Sequence, residues 1–420
     1  MTAADDQILP TSAPDFNPFA PDFLADPNPW FDRYLELHPV FYAPEMDYWV
    51  LSRYQDVRAA FRDTVTYSAS NALAPITPVC PRAQAALRDG GFRSVPTLSN
   101  GDPPGHTRAR RIANLAFTPR RVAEMEDFIR GVVVAFVDER LHDGHADIVR
   151  ALTWELPALV IFKILGVPDE DVPRVKAGSE NRLLFMFGRG SENQQVEIAE
   201  GMAAFWHYTE ALATSRREQP RDDFASDIVN TLDPQGQPLS HQQASTILFT
   251  LLVAGHETTT NLLTHGFRRF LEQRTIWEEL CADVSLIPNA VEELLRFDSS
   301  VNMWRRKTKV PIRVRDVHIP AEANLLLLIG AANRDPEVFE NPDRFDIRRA
   351  NARDHLSFGI GNHFCLGAPL ARLEARVVFE ELIRRLPSLR LAPDQQLSFP
   401  AYIAFRGPRG LLVEWDAVAG

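Results

Sequence analysis

The chain has 420 residues, which is too many for one small core and indicates two or three lobes or one large fold. Its 45 basic and 56 acidic side chains leave a formal net charge of −11, so nucleic acid is not an expected partner. A hydrophobic content of 45% with 24% charged residues is typical of a globular protein and excludes a disordered one.

The three cysteines, Cys80, Cys281 and Cys365, are widely separated and form neither a CxxC motif nor an even-numbered set. This usage indicates a reducing compartment. The N-terminus lacks the basic and apolar regions of a signal peptide, and no apolar run approaches the roughly 18 to 20 residues that cross a bilayer. We therefore expect a soluble, cytoplasmic protein without a membrane anchor.

The first elements in chain order are a strap and a hairpin. Residues 1–30 are rich in Pro, Asp and Phe, which favours an irregular N-terminal strap ahead of a main domain over residues 31–420. Residues 40–42 and 48–51 are apolar or aromatic and predict a short β-hairpin. Between about residues 55 and 115, short helices alternate with a Pro- and Gly-containing loop that is long enough to suggest function.

The remaining chain is predicted to be mostly helical. Residues 119–295 show apolar periodicity at helical spacing, whereas residues 310–333 read as strands. A helix over about residues 369–386 follows, and short strands are expected near Phe405 and over 411–415. The fold class is therefore mainly α, as one large α-rich domain with a small β region.

A glycine-rich segment around Cys365 is the most specific feature of the sequence. Glycines at 359, 361 and 367 let the backbone turn tightly and approach a large flat group. Pro369 predicts the start of a helix, and the N-terminus of that helix would favour a thiolate at Cys365. Such a thiolate suits an axial iron ligand. One alternative is a buried structural cysteine. The other is a zinc site formed with His363, but the sequence offers no second pair of ligands for it.

The pattern Phe358, Gly361, Cys365 and Gly367 resembles the haem-binding loop of the cytochrome P-450 superfamily. The resemblance implies a single cytochrome P-450-type domain with haem b as cofactor and Cys365 as the ligand of its iron. It also implies that the phenylalanine and the two glycines bind the cofactor.

A capping box at residues 240–243 opens a helix that is predicted to run to about Leu271. Residues 244–254 are apolar nearly all round, which indicates burial. The segment 255–260, Gly-His-Glu-Thr-Thr-Thr, is poor helix material because threonine side chains compete for backbone carbonyls. We expect it to interrupt the helix and leave a groove.

The segment 254–259 resembles the oxygen-activation motif of the same family. The resemblance implies that Gly255 leaves room for dioxygen, that Glu257 supplies protons, and that Thr258 hydrogen-bonds the peroxide formed from dioxygen. Without the cysteine loop, a buried polar kink would explain the same residues. His256 is expected only to pack between helices or to lie at the surface.

Glu293 and Arg296 lie at i, i+3 on one predicted helix face, a spacing that by itself favours a solvated salt bridge. With the later segment 342–346 they resemble the family's Glu-x-x-Arg pair, which a further arginine closes into a network behind the cysteine loop. Arg344 is the candidate for that arginine, and Arg334 is the alternative.

A cationic group is implied for the haem propionates. His106 and Arg110 lie at i, i+4 if a helix covers them, a spacing that brings two donors to one anion. By resemblance they contact the propionates together with His363 and Arg306, for which Arg305 is the alternative. Without the other motifs, solvated cations would explain these residues.

By family position, a substrate pocket is expected from residues that are mostly apolar and aromatic: Phe185, Phe249, Val253, Ala254, Val301, Met303, Trp304 and Ile403. This lining favours a small hydrophobic or aromatic substrate. The resemblance thus implies a bacterial haem-thiolate monooxygenase that inserts one atom of dioxygen by hydroxylation or O-dealkylation. A peroxide-driven peroxygenase and a haem-based gas sensor or carrier are the alternatives.

The segments 304–306 and 405–408 look most like the haem domains of a bacterial subfamily fused to a reductase, and their unfused relatives. Only two cysteines remain beside Cys365, too few for a plant-type iron-sulfur centre. Electrons from NAD(P)H are therefore expected through a separate ferredoxin or ferredoxin-type reductase, or through a reductase domain absent from this chain. Five arginines form the candidate basic patch on which this partner would dock: Arg110, Arg111, Arg120, Arg372 and Arg376. The alternative is that they lie on ordinary solvated helix faces.

Overall fold

Helices form most of the structure, a computed structural model that describes residues 15–179 and 181–417. The helices are α1 Pro21–Ala25, α2 Asn28–Leu37, α3 Tyr54–Arg62, α4 Pro81–Asp89, α5 Gly105–Ala116, α6 Pro119–Ala123, α7 Glu126–Arg140, α8 Glu155–Leu165, α9 Val172–Ser179, α10 Arg182–Phe187, α11 Glu192–Glu218, α12 Phe224–Asn230, α13 His241–Glu272, α14 Arg274–Ala282, α15 Ile287–Phe297, α16 Ile329–Ala332 and α17 Ala368–Arg385. None of these helices combines the length and the apolar character that a membrane span needs.

Within the described residues, the strands form three small sheets. They are β1 Val40–Ala43, β2 Tyr48–Leu51, β3 Tyr67–Ser68, β4 His145–Asp147, β5 Met303–Thr308, β6 Ile312–Val314, β7 Val317–Ile319, β8 Asn324–Leu328, β9 Arg390–Leu391 and β10 Leu412–Glu414. Their sheets have the orders β1-β2-β8-β5-β3, β4-β10-β9 and β6-β7. The predicted hairpin is confirmed, with Val40 paired to Leu51, and so is the mainly α fold with a small β region.

The N-terminal segment is more regular than predicted. Residues 1–14 lie outside the described residues, but within 15–30 the chain forms α1 and begins α2, so the predicted boundary at residue 30 falls inside a helix. Proline occupies the first turn of both helices, where its missing N–H costs no intrahelical bond. Phe16 packs against Phe41 of the sheet with ring centres 5.3 Å apart.

Helix α13 is the central element and carries the predicted capping box, in which the Ser240 side chain accepts from the N–H of Gln243. Its 32 residues extend about 48 Å. The helix continues through residues 255–260, so the predicted interruption is wrong. The hydroxyls of Thr258 and Thr260 bond to carbonyls four residues earlier, a pattern that the helix accommodates without ending.

Candidate active site

Two glycines shape the loop before Cys365. Gly359 and Gly361 have φ values of 65° and 75°, which glycine adopts without strain. A Cβ added at Gly361 would lie 3.3 Å from the Cα of Arg62, so this glycine fits the loop against α3 and does not line the cavity expected for a cofactor. The loop closes where the Cys365 N–H donates to the Phe358 carbonyl at 2.9 Å.

The thiol of Cys365 lies at the N-terminus of α17, as the sequence predicts. Backbone N–H groups of Gly367 and Ala368 hydrogen-bond the sulfur. Burial raises the pKa of the Cys365 thiol, and these N–H groups with Arg110 and Arg372 act in the opposite direction. Burial has the larger effect on this pKa, whereas the N–H groups and the two arginines are placed to stabilise negative charge on the sulfur.

A cavity of about 1100 Å³ opens above this thiol. The cysteine loop forms one wall, and the middle of α13 forms another. Within residues 15–179 and 181–417, no group of three His, Cys, Asp or Glu side chains could hold a metal ion, so the zinc alternative finds no ligand set there. The cavity is large enough to take a flat group together with a second molecule.

Nitrogen donors from two histidines and two arginines gather at one end of the cavity. The rings of His106 and His363 are tilted by 32° with their centres 4.0 Å apart, and His106 lies behind His363, which lines the cavity. Three polar atoms lack a hydrogen-bond partner among the described residues, both ring nitrogens of His106 and Nε2 of His363. Arg110 also lines the cavity, and its Nη1 donates to the Phe364 carbonyl at 2.6 Å.

Successive side chains of β5 point to opposite faces of the sheet, and this decides between Arg305 and Arg306. Arg305 points away from the cavity, where it donates to the carbonyls of Ala72, at 2.9 Å, and Ala74. Arg306 lines the cavity, and its buried Nη2 has no hydrogen-bond partner among the described residues. Unpaired buried donors of this kind call for an anion, so this end of the cavity fits the two carboxylates of a haem.

Glu257 and Thr258 lie on the α13 wall of the cavity. Burial raises the pKa of Glu257 to about 8, so its carboxyl group carries a proton at neutral pH. The Thr258 hydroxyl donates to the Ala254 carbonyl at 2.9 Å, which leaves its lone pairs to accept a hydrogen bond. An acid and an alcohol thus stand side by side in the cavity.

The two residues before Glu257 were also assigned roles from the sequence. Gly255 lines the cavity, and a Cβ there would lie 3.0 Å from Cγ1 of Ile161, so the glycine also lets α13 pass close to α8. That it leaves room for dioxygen stays a prediction. His256 Nε2 donates to the Trp154 carbonyl at 2.8 Å, and burial lowers its pKa to about 4. His256 therefore packs between helices, as expected.

Comparison with known proteins decides the family. The sequence model described as Cytochrome P450 matches residues 195–399. The cytochrome P-450 monooxygenase PikC of Streptomyces venezuelae is 35% identical over 96% of this chain and 94% of its own length. The chain belongs to the cytochrome P-450 family. It is a P-450 monooxygenase, and members of this family bind haem b through a cysteine thiolate.

Two solved structures extend the comparison. An intact type IV self-sufficient P-450 monooxygenase is 39% identical, with a TM-score of 0.92 over 97% of this chain. The chain spans only 53% of that protein's length, and the expected likeness to reductase-fused enzymes is confirmed. A P-450 solved in complex with (4-ethylphenyl) dihydrogen phosphate, CREJ, is 36% identical, with a TM-score of 0.91 over 96% of this chain and 99% of its own.

The Glu-x-x-Arg pair of this P-450 is fully buried. Glu293 accepts from Nε and Nη2 of Arg296 at 2.7 and 2.8 Å. The third member is Arg349, whose Nε donates to both carboxylate oxygens at 3.0 and 3.1 Å. The prediction of Arg344 is wrong, because its side chain is exposed and only its carbonyl accepts from the network. The alternative, Arg334, pairs instead with Asp32 and Asp343.

A second buried network was not predicted. Glu292, next to Glu293, accepts from Arg372 at 2.7 and 2.9 Å and contacts His355 Nε2 at 3.1 Å. These hydrogen bonds outweigh burial and lower the pKa of Glu292 to about 2. The network ties α15 to α17 and to the chain ahead of the cysteine loop. The sequence offered only one hint of it, the doublet of adjacent glutamates.

Six of the eight predicted pocket residues line the cavity: Phe185, Phe249, Val253, Ala254, Val301 and Trp304. Met303 and Ile403 do not, and both predictions are wrong. Met303 alternates with Trp304 along β5 and faces the opposite side, where it packs with Ile403 and the aromatic cluster around Phe31. Phe405 lines the cavity instead of Ile403.

The candidate docking patch of this P-450 is largely neutralised. Arg120 pairs with Glu124, Arg372 with Glu292, and Arg376 with Glu126 and Glu380. Arg110 is turned into the cavity, which leaves Arg111 as an exposed member of the set. The solvated helix faces that were the alternative therefore describe most of this surface better.

Proposed function

We propose that this P-450 inserts one atom of dioxygen into a small aromatic or hydrophobic substrate, by hydroxylation or O-dealkylation. The observation that supports this most is the large cavity in which a thiol, a protonated acid and an alcohol face mainly apolar and aromatic side chains. The related P-450 solved with (4-ethylphenyl) dihydrogen phosphate supports an aromatic substrate in a fold of this kind.

Electrons would come from NAD(P)H through a ferredoxin or ferredoxin-type reductase, or through a reductase domain outside this chain. The self-sufficient relative supports this route, since this chain matches about half of that protein. The test is consumption of NAD(P)H and substrate by the holoprotein with an added ferredoxin and its reductase. Conversion only with added peroxide would favour a peroxygenase, and binding of gases without any conversion would favour a sensor or carrier.

The residues that would hold haem are the cysteine and the nitrogen donors that line the cavity. Cys365 would bind the iron through Sγ, while the N–H groups of Gly367 and Ala368 stabilise its negative charge. Arg110, Arg306 and His363 would donate to the propionates from one end of the cavity, with the His106 ring packed behind His363. When bound, the haem supplies the binding and reductive activation of dioxygen.

Glu257 and Thr258 would handle protons in this cavity. The Glu257 carboxyl oxygen holds a proton at neutral pH because burial disfavours its anion. Thr258 Oγ1 can accept a hydrogen bond from a protonated oxygen atom, since its own hydrogen is donated to the Ala254 carbonyl. Glu257 would thus deliver a proton to the reacting oxygen atom, and Thr258 would hold the protonated oxygen in place through a hydrogen bond.

Thr258→Ala should keep haem content and substrate affinity and continue to consume NAD(P)H. Product per NAD(P)H should fall and hydrogen peroxide should rise, because the proton is no longer delivered to the correct oxygen atom. Both ratios are measured with a ferredoxin and its reductase.

Thr260→Ala is the matched control for this substitution. Thr260 makes the same hydroxyl-to-carbonyl bond, at 3.1 Å to His256, but is buried away from the cavity. Both variants should lose about 1 kcal/mol of stability. If Thr258→Ala is as well coupled as Thr260→Ala, its hydroxyl only supports the helix.

The proton role of Glu257 predicts a pH dependence. As the pH rises through about 8, the carboxyl loses its proton, so product per NAD(P)H in the wild type should fall over this range. Glu257→Gln keeps the shape but carries no transferable proton, so its coupling should be low and independent of pH.

Glu374→Gln serves as the control for this pH dependence. Glu374 lines the cavity from α17, and burial raises the pKa of its carboxyl well above the ordinary value. Its replacement should leave the pH dependence near 8 unchanged. A Glu257→Gln variant with the coupling and pH profile of the wild type would remove Glu257 from proton delivery.

A further inference from the structure

Arg182, the first residue of α10, carries an isolated buried cation at the cavity. Its side chain is 3% exposed and lies among the residues that line the cavity. Within the described part of the chain, Nε and Nη1 have no hydrogen-bond partner and no carboxylate forms an ion pair with the guanidinium. Arg182 belongs to no motif of the sequence, where it is one arginine ahead of an apolar run.

Aromatic rings hold the guanidinium in place. Its central carbon lies 3.7 Å from the ring centre of Phe249 on α13 and 5.1 Å from that of Phe205 on α11. Stacking on a ring stabilises the charge but uses none of the N–H groups, which lie in the guanidinium plane. Burial lowers the pKa of Arg182 to about 9, so the group remains a cation at neutral pH.

The other buried arginines of the described chain show how unusual this is. Each of them donates at least one hydrogen bond from its guanidinium: Arg216 to Asp223, Arg296 and Arg349 to Glu293, Arg305 to Ala72, Arg306 to the Arg305 carbonyl, Arg334 to Asp32 and Arg406 to the Ala25 carbonyl. A buried charge without a partner is strongly unfavourable. A fold that retains one at a ligand cavity points to an anion supplied by the ligand.

We infer that Arg182 binds an oxyanion of the substrate, so that the substrate class is a small aromatic carboxylate or aromatic phosphate. The inference rests on the proposed function and specifies the substrate of the same cavity. A guanidinium matches both anions through paired, charge-assisted N–H bonds.

The geometry also orients the substrate. Phe249, on which Arg182 stacks, precedes Thr258 on α13 by about two and a half turns, or about 13 Å. Val253 and Ala254 line the cavity between these two points and offer an apolar surface to a ring. The anion would therefore lie at the Arg182 end, and the opposite, apolar end of the ring would point towards Thr258 and Cys365.

Three probes that differ only in the group para to an ethyl substituent test this inference: p-ethylbenzoate, p-ethylphenyl phosphate and the neutral p-ethylbenzamide. Their affinities for the holoprotein are measured by equilibrium dialysis and by the change in haem absorption. The wild type should bind at least one anion at least about tenfold more tightly than the amide. Arg182→Met should lose this preference and keep its affinity for the amide.

Arg189→Met is the matched control, because Arg189 also lines the cavity but is exposed and stacks on Phe19. It should bind all three probes like the wild type. Arg182→Lys keeps the charge and should retain part of the preference, which guards against a folding defect in Arg182→Met.

The two anionic probes separate the two substrate chemistries, since the preferred one identifies a carboxylate or a phosphate. Equal affinity of the wild type for all three probes, or an unchanged preference in Arg182→Met, would overturn the inference. Binding by dialysis needs no turnover. Oxidation of neutral aromatics without any preference for anions would therefore refute the role of Arg182 and leave the proposed function intact.

Discussion

Glu293→Ala is expected to yield aggregated or haem-free protein and not a slow enzyme. The substitution leaves the guanidinium groups of Arg296 and Arg349 buried without their shared carboxylate, and it also removes the acceptor of the Asp346 N–H. Breaking such a pair costs about 3 to 5 kcal/mol, a large part of the roughly 5 to 15 kcal/mol that stabilises a folded protein. The measurements are yield, haem content and the free energy of unfolding.

An exposed ion pair of the same type provides the control. Glu337 pairs with Arg53 at 3.3 Å, but its side chain is 58% exposed. Glu337→Ala should therefore change the free energy of unfolding by less than about 1 kcal/mol. A normal yield of stable holoprotein from Glu293→Ala would show that the buried network does not hold the fold together.

Cys365→Ser should abolish tight haem binding and the thiolate signature in the Soret band of the reduced carbon monoxide complex. A serine hydroxyl at the same position would not ionise at neutral pH, so it could not replace the anionic sulfur that the N–H groups of Gly367 and Ala368 stabilise. The measurements are haem content after purification and the spectrum of the reduced complex.

Cys281→Ser is the matched control, since Cys281 is a half-buried free thiol on α14 and does not line the cavity. It should give the spectrum and haem content of the wild type. A thiolate-type Soret band in Cys365→Ser would mean that another residue binds the iron.

The features that depend on a few neighbouring residues, such as turns and helix starts, were predicted well. The turn before Cys365 needs glycine at particular backbone angles, and the start of α13 needs a capping residue, so both leave a direct mark in the sequence. Apolar periodicity likewise predicts the mainly α fold, because each helix must bury one face.

Features that depend on which way a side chain points were predicted poorly. The arginine that closes the Glu293 network is Arg349, and the alternation of buried Phe345, Ile347 and Arg349 could have pointed to it. The same alternation separates Met303 from Trp304. Arg182 left no such signal, because its isolation depends on which carboxylates the rest of the fold brings near it.

The most direct test of monooxygenase function is the fate of isotopically labelled dioxygen. The holoprotein is supplied with NAD(P)H, a ferredoxin and its reductase, and with the probe among p-ethylbenzoate, p-ethylphenyl phosphate and p-ethylbenzamide that it binds most tightly. The product should carry one labelled oxygen atom for each molecule of NAD(P)H used in productive turnover. A product whose new oxygen comes from water, or NAD(P)H consumption that yields only peroxide with every probe, would contradict the account.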